Sequence, residues 1–160
     1  LINIIATFVA IGLVDRWGRR PLLLVGSVGM PVALGVLAVV FGQAPVGAAG
    51  ELNLGAREGT VALVAANLYI VFFGMSWGPV MWVMLGEMFP NRLRGSALAV
   101  AGLSQWATNF AITMTFPVLL TGIGLGGAYG IYAGFAALSL VLVLIWVRET
   151  KGRSLEQMSG

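Results

Sequence analysis

Five long runs of this chain contain no Asp, Glu, Lys or Arg: residues 1–14, 21–41, 61–86, 97–121 and 128–147. No other feature constrains the fold as much. A helix needs roughly 20 apolar residues to cross about 30 Å of hydrocarbon, and the last four runs reach that length. The first covers only about 21 Å at 1.5 Å per residue. It reads as a spanning helix whose beginning is missing, the alternative being a short interfacial or re-entrant segment. Only 9% of the residues are charged and 59% are hydrophobic, whereas a soluble domain carries about 25% charged residues. Too few polar side chains exist to cover a surface in water. The expected class is an all-α membrane protein.

The cations set the orientation. Residues 15–20, 87–96 and 148–160 hold eight of the nine Lys and Arg, and the opposite side holds only Arg57. Basic short loops stay in the cytoplasm, so residues 148–160 are expected to form a cytoplasmic tail, with five passages before it. The net charge of +3 then reflects topology, and no nucleic-acid partner is expected. The chain lacks Cys and His. That removes disulfides, thiolate chemistry and the commonest general base. The spans hold no converging nucleophiles, carboxylates or metal ligands. No enzyme activity, cofactor or metal is therefore expected.

In the fourth run Ser104, Gln105, Thr108, Asn109 and Thr113 recur at three- and four-residue spacing, which places them on one helical stripe. Lipid cannot satisfy amides, so the stripe must meet another helix or a wet cavity. Gln105 lies about 15 Å from the cytoplasmic loop, near the mid-bilayer depth of transporter sites. In the third run Gly74, Gly78 and Trp82 share a face. Pro79 removes a backbone donor and should kink or break the helix. The indole of Trp82 offers an apolar face and one N–H, which matches a sugar ring. It also stands near the aromatic-belt depth. Together these uncharged groups suit a neutral, hydroxyl-rich ligand.

Asp15 and Glu87 fall at cytoplasmic helix C-termini, where the helix dipole disfavours a carboxylate. Arg16, Arg19, Arg20, Arg92 and Arg94 are the candidates to compensate them. Such pairs would either latch helix ends in one state or serve as static topology charges.

Several ordered motifs resemble the sugar porters of the major facilitator superfamily. Gly12, Asp15, Arg16, Gly18, Arg19 and Arg20 are similar to the G-x-x-x-D-R-x-G-R-R loop. Gly78-Pro79-Val80-Met81-Trp82, Glu87, Phe89-Pro90 and Arg94-Gly95 resemble the tenth-helix signature. Gln105-Trp106 and Asn109 resemble the eleventh helix, and Glu149-Thr150-Lys151-Gly152 the P-E-T-K-G tail. Ser76-Trp77-Gly78-Pro79 with Gln105-Trp106 is most similar to the bacterial xylose–proton symporter and glucose-facilitator group.

The resemblance implies helices eight to twelve of a twelve-helix protein, a partial C-terminal six-helix bundle. It implies transport of a monosaccharide, hexose or pentose, by alternating access in a bacterial inner membrane, with proton coupling left open. Implied partners are the sugar, a proton where coupling exists, the missing N-terminal half and the lipid bilayer. Trp82, Gln105, Gly78, Trp106 and Asn109 would form the sugar site, and Asn3 matches a polar position on helix eight. Asp15, Arg16, Arg19, Arg20, Glu87 and Arg94 would form a cytoplasmic charge network. A transporter-like sugar sensor and a carrier of another neutral polyol such as inositol are the rival readings. Two departures from the pattern are Arg148, where a Pro is usual, and Gly86, where a Ser is common.

Overall fold

The computed structural model describes residues 2–46 and 52–147, with Asp15 described through its backbone only. Leu1 and the tail motif at 149–152 lie outside the described residues. Five helices follow in order: α1 (Ile2–Trp17), α2 (Arg19–Gln43), α3 (Ala56–Met75), α4 (Pro79–Met88) and α5 (Asn91–Trp146). The stretches Arg19–Gln43, Ala56–Met88 and Asn91–Trp146 are long and apolar enough to cross a membrane.

The breaks between helices have local causes. Gly18 takes φ 94°, ψ 169°, a conformation that side-chain-bearing residues rarely adopt, and there α1 gives way to α2. α3 stops at Met75, and Ser76 departs to φ −128°, ψ −89°. The Gly78 N–H reaches back five residues to the Phe73 carbonyl at 2.9 Å, a π-type turn. Pro79 has no N–H to give the Met75 carbonyl, and it stands at the first position of α4, where its missing donor does no harm. The third apolar run is thus two helices joined by an unwound turn.

α5 has 56 residues, about 84 Å at the helical rise, more than a bilayer can hold. Gly124, with φ 72°, ψ 175°, interrupts it. The Phe116 and Tyr132 rings stand eight residues to either side of Gly124, with centroids 6.4 Å apart. The two halves, 91–123 and 125–146, therefore form a helical hairpin. The connection expected over 122–127 shrinks to a single non-helical residue. The segment carries neither charge nor proline, and its other glycines, Gly122, Gly126 and Gly127, stay helical.

α2 is the central helix. The second half of α5 runs antiparallel to it, with Gly126 against Gly42, Ser139 beside Ser27, and Leu144 beside Arg20. α3 is antiparallel on its other side, with Phe72 against Gly29 and Ser76 against Gly26. Leu22, Leu23, Val80, Met84 and Val143 form a core at the Arg19 end. Leu34, Leu37, Ala62 and Ala65 form another at the far end.

The α2–α3 contact leaves no room for side chains. A Cβ built on Gly26 would stand 1.8 Å from Ser76 Oγ, and one on Gly29 would stand 2.3 Å from the Phe72 ring. Overpacking of this kind costs about 1–3 kcal/mol. Gly26→Ala should accordingly lower the melting temperature of the full-length protein in detergent, and an unchanged melt would contradict the close approach. α1 packs on α3 in the same way. A Cβ on Gly74 would lie 2.8 Å from Asn3 Oδ1, so Gly74 serves helix contact.

Candidate functional site

α4 is a ten-residue helix that carries Trp82 in its middle and Glu87 near its end. The Trp82 side chain reaches α5, where its Cη2 would lie 3.9 Å from a Cβ on Gly102. Gln105 follows Gly102 by three residues, about 4.5 Å along the helix, and Thr108 follows by three more. Steps of three turn through about 300°, so the Gln105 side chain projects between the directions of Gly102 and Thr108. Thr108 lines a cavity of about 700 Å³ that is also bounded by Tyr69, Trp77, Tyr132 and Ser139. Gln105 therefore stands between the indole of Trp82 and that cavity.

The polar stripe divides by chemistry. Its hydroxyls bond back to their own helix: Ser104 donates to the Val100 carbonyl at 2.9 Å, Thr108 to Ser104 at 2.8 Å and Thr113 to Asn109 at 2.8 Å. This is a habit of Ser and Thr in helices, and it leaves them little to offer a ligand. The amides of Gln105 and Asn109 make no hydrogen bond among the described residues. Every residue from Leu103 to Thr115 is exposed. Trp106 is 74% exposed, points about 100° round the helix from Gln105, and makes no bond or ring pair with Trp82 among the described residues. Gly78 lies in the turn itself, where a Cβ would stand a tight 3.3 Å from the Phe73 carbonyl oxygen.

A charged cluster closes the other end of α4. Arg19 at the start of α2 grips Glu87 with two parallel bonds, Nε to Oε2 at 3.0 Å and Nη2 to Oε1 at 2.5 Å. Its Nη1 donates to the Val14 carbonyl of α1 at 3.4 Å. One guanidinium thus joins the ends of α1, α2 and α4, and it offsets the carboxylate that the α4 dipole disfavours. Arg20 donates to the Leu144 carbonyl near the end of α5 at 3.2 Å. Arg16 is exposed. Arg94 is half-buried, and its Nε has no hydrogen-bond partner among the described residues. The side chain of Asp15 lies outside the described residues.

One group at the site was not expected. The Trp77 indole N–H, in the unwound turn, donates to Ser27 Oγ of α2 at 2.9 Å. Trp77 stood in the sequence among residues quoted only for their resemblance. Its position next to a proline break was the one available signal, and Ser27 carried none.

The model of the family described as "Sugar (and other) transporter" matches residues 1–160, the whole chain. The chain belongs to this family. It is 55% identical over 157 residues to the glucose transport protein of Synechocystis sp., covering 98% of this chain and 33% of that protein. It is 38% identical over 167 residues to the D-xylose-proton symporter of Escherichia coli K12, covering 100% of this chain and 31% of that protein. A structure of the xylose transporter XylE from E. coli in an inward-open conformation superposes with a TM-score of 0.83 at 39% identity, covering 99% of this chain and 33% of that one. The chain spans about a third of the length of these relatives. The relatives are transporters, and family and apolar helices together make this an integral membrane protein.

Proposed function

We propose that the chain is the C-terminal part of a transporter that carries a monosaccharide, hexose or pentose, across a bacterial inner membrane by alternating access. The observation that carries this reading is the uncharged face built by Trp82 with the unspent amides of Gln105 and Asn109. An aromatic ring takes the C–H face of a sugar, and amides both donate to and accept from its hydroxyls. Membership of the sugar transporter family and the names of the relatives support the choice of ligand. The basic loops and the tail lie on the cytoplasmic side under the positive-inside rule. The five passages are helices eight to twelve, and the N-terminal half of the same protein supplies the opposite wall of the cavity.

The spanning runs carry no carboxylate. A proton moving with the sugar would therefore be carried by an acid in the rest of the protein. The full-length protein, reconstituted in vesicles, should take up labelled D-glucose or D-xylose saturably and exclude L-glucose. An imposed proton gradient should accelerate uptake only in a symporter. Absence of saturable flux of either sugar would remove the reading.

A further inference from the structure

The unwound turn between α3 and α4 is held to the bundle by a part-buried polar contact at the edge of the cavity that Thr108 lines. Trp77, the middle residue of the turn, donates its indole N–H to Ser27 Oγ at 2.9 Å. Ser27 is fully buried. The hydroxyls of Ser27 and Ser139 lie 3.4 Å apart in hydrogen-bond geometry, and Ser139 also donates to the Ala136 carbonyl at 2.6 Å. The contact therefore ties the turn to α2 and to the second half of α5. On either side of it, Gly26 and Gly29 bring α2 flush against Ser76 and Phe72. Ser76, also fully buried, spends its hydroxyl on the Phe72 carbonyl. Ser27 is the fully buried partner, and a buried hydroxyl deprived of its donor is costly, so the contact resists opening.

The far end of α4 is held differently. Glu87 binds Arg19, eight residues before Ser27 on the same helix, and the Glu87 side chain is 32% exposed. α4 is thus strapped to α2 twice, once by a neutral bond to a fully buried hydroxyl and once by an ion pair that reaches water. Water and competing ions can open the second far more readily than the first. Trp82 sits between the two straps.

From this arrangement we infer that Trp77 and Ser27 are positioning residues. Their bond is the fixed anchor of α4. It sets where Trp82 stands against Gly102, and α4 turns about it when the Arg19–Glu87 end opens. The inference rests on the sugar-transport reading for its consequence, though not for its geometry.

The test uses the full-length protein. Trp77→Phe keeps one aromatic ring but removes the N–H donor together with the second ring of the indole, whereas Ser27→Ala removes little more than the accepting hydroxyl and is the cleaner of the two. Each should raise the KM for sugar about threefold or more, with Vmax within about twofold of wild type. The double variant should be no worse than the poorer single one, because both delete one bond. Spin labels at positions 28 and 83, both exposed, should give a broadened distance distribution in either variant and an unchanged one in Glu87→Gln. Labels at 17 and 88 should move in Glu87→Gln instead. Multiplying effects in the double variant, or a wild-type KM with uptake falling only as protein amount falls, would overturn the anchor. If the wild-type protein moves no sugar, the functional reading fails, while the 28–83 distances still decide whether the anchor exists.

Discussion

Trp82→Ala in the full-length protein is expected to reduce sugar uptake about tenfold at low sugar, with the amount of protein in the membrane unchanged. The indole is half-buried, with one edge at Gly102 and the rest of the ring available. Loss of ring contact is worth about 0.5–1.5 kcal/mol beyond the area buried, and each 1.4 kcal/mol is tenfold in affinity. Trp82→Phe should recover part of the loss, since it restores a flat ring but lacks the second ring of the indole and its N–H. Gln105→Ala is the sharper control. Gln105 is exposed and makes no hydrogen bond among the described residues, so its removal should leave stability within about 0.5 kcal/mol. The loss of one hydrogen bond to the sugar, about 0.5–1.5 kcal/mol, predicts a two- to tenfold rise in KM. Wild-type KM in both variants would take this face out of the sugar path.

The reach of the sequence can be judged residue by residue. The helix break was signalled by Pro79, which has no N–H, but proline alone does not decide it, since Pro31 and Pro117 lie inside α2 and α5 without ending them. The polar stripe was legible because three- and four-residue spacing on a helix is rigid. That its hydroxyls would turn back to Val100, Ser104 and Asn109 was a choice open to each side chain, and spacing does not decide it. The hairpin at Gly124 was hidden for the opposite reason. Several glycines crowd that segment, and only packing of the second half of α5 along α2 selects the one that takes positive φ. Glu87 had five arginines as candidate partners, and their order along the chain does not separate them. Arg19 pairs with Glu87 because its place at the start of α2, just after Gly18, lets the guanidinium reach both α1 and α4. The Trp77–Ser27 bond joins residues 50 positions apart, beyond any local pattern.

Glu87→Gln should shift the inward/outward balance of the full-length protein by about fivefold, read as a change in the 17–88 spin-label distance populations. The substitution preserves shape and leaves Arg19 one acceptor, but it removes the charge. Glu87 is about one-third exposed and Arg19 is 14% exposed, so the pair falls nearer the worth of an exposed ion pair, about 1 kcal/mol, than that of a fully buried one. At about 1.4 kcal/mol per factor of ten, that is a fivefold change in a two-state equilibrium. The direction follows from the contact. The pair holds α4 against α1 and α2 in the arrangement described here, so neutralising it favours the arrangement in which α4 has moved away. Arg19→Gln should shift the balance further, because it also gives up the bond to the Val14 carbonyl. Exchanging the two charges separates these parts. A carboxylate at position 19 can again meet an arginine at position 87, yet it has no proton for Val14, so rescue should be incomplete by the amount that cap contributes. Raised salt should move the wild-type populations in the same direction as Glu87→Gln and leave the variant nearly still. Identical distance populations in wild type and variant, at any salt, would reduce the pair to static compensation of a helix end.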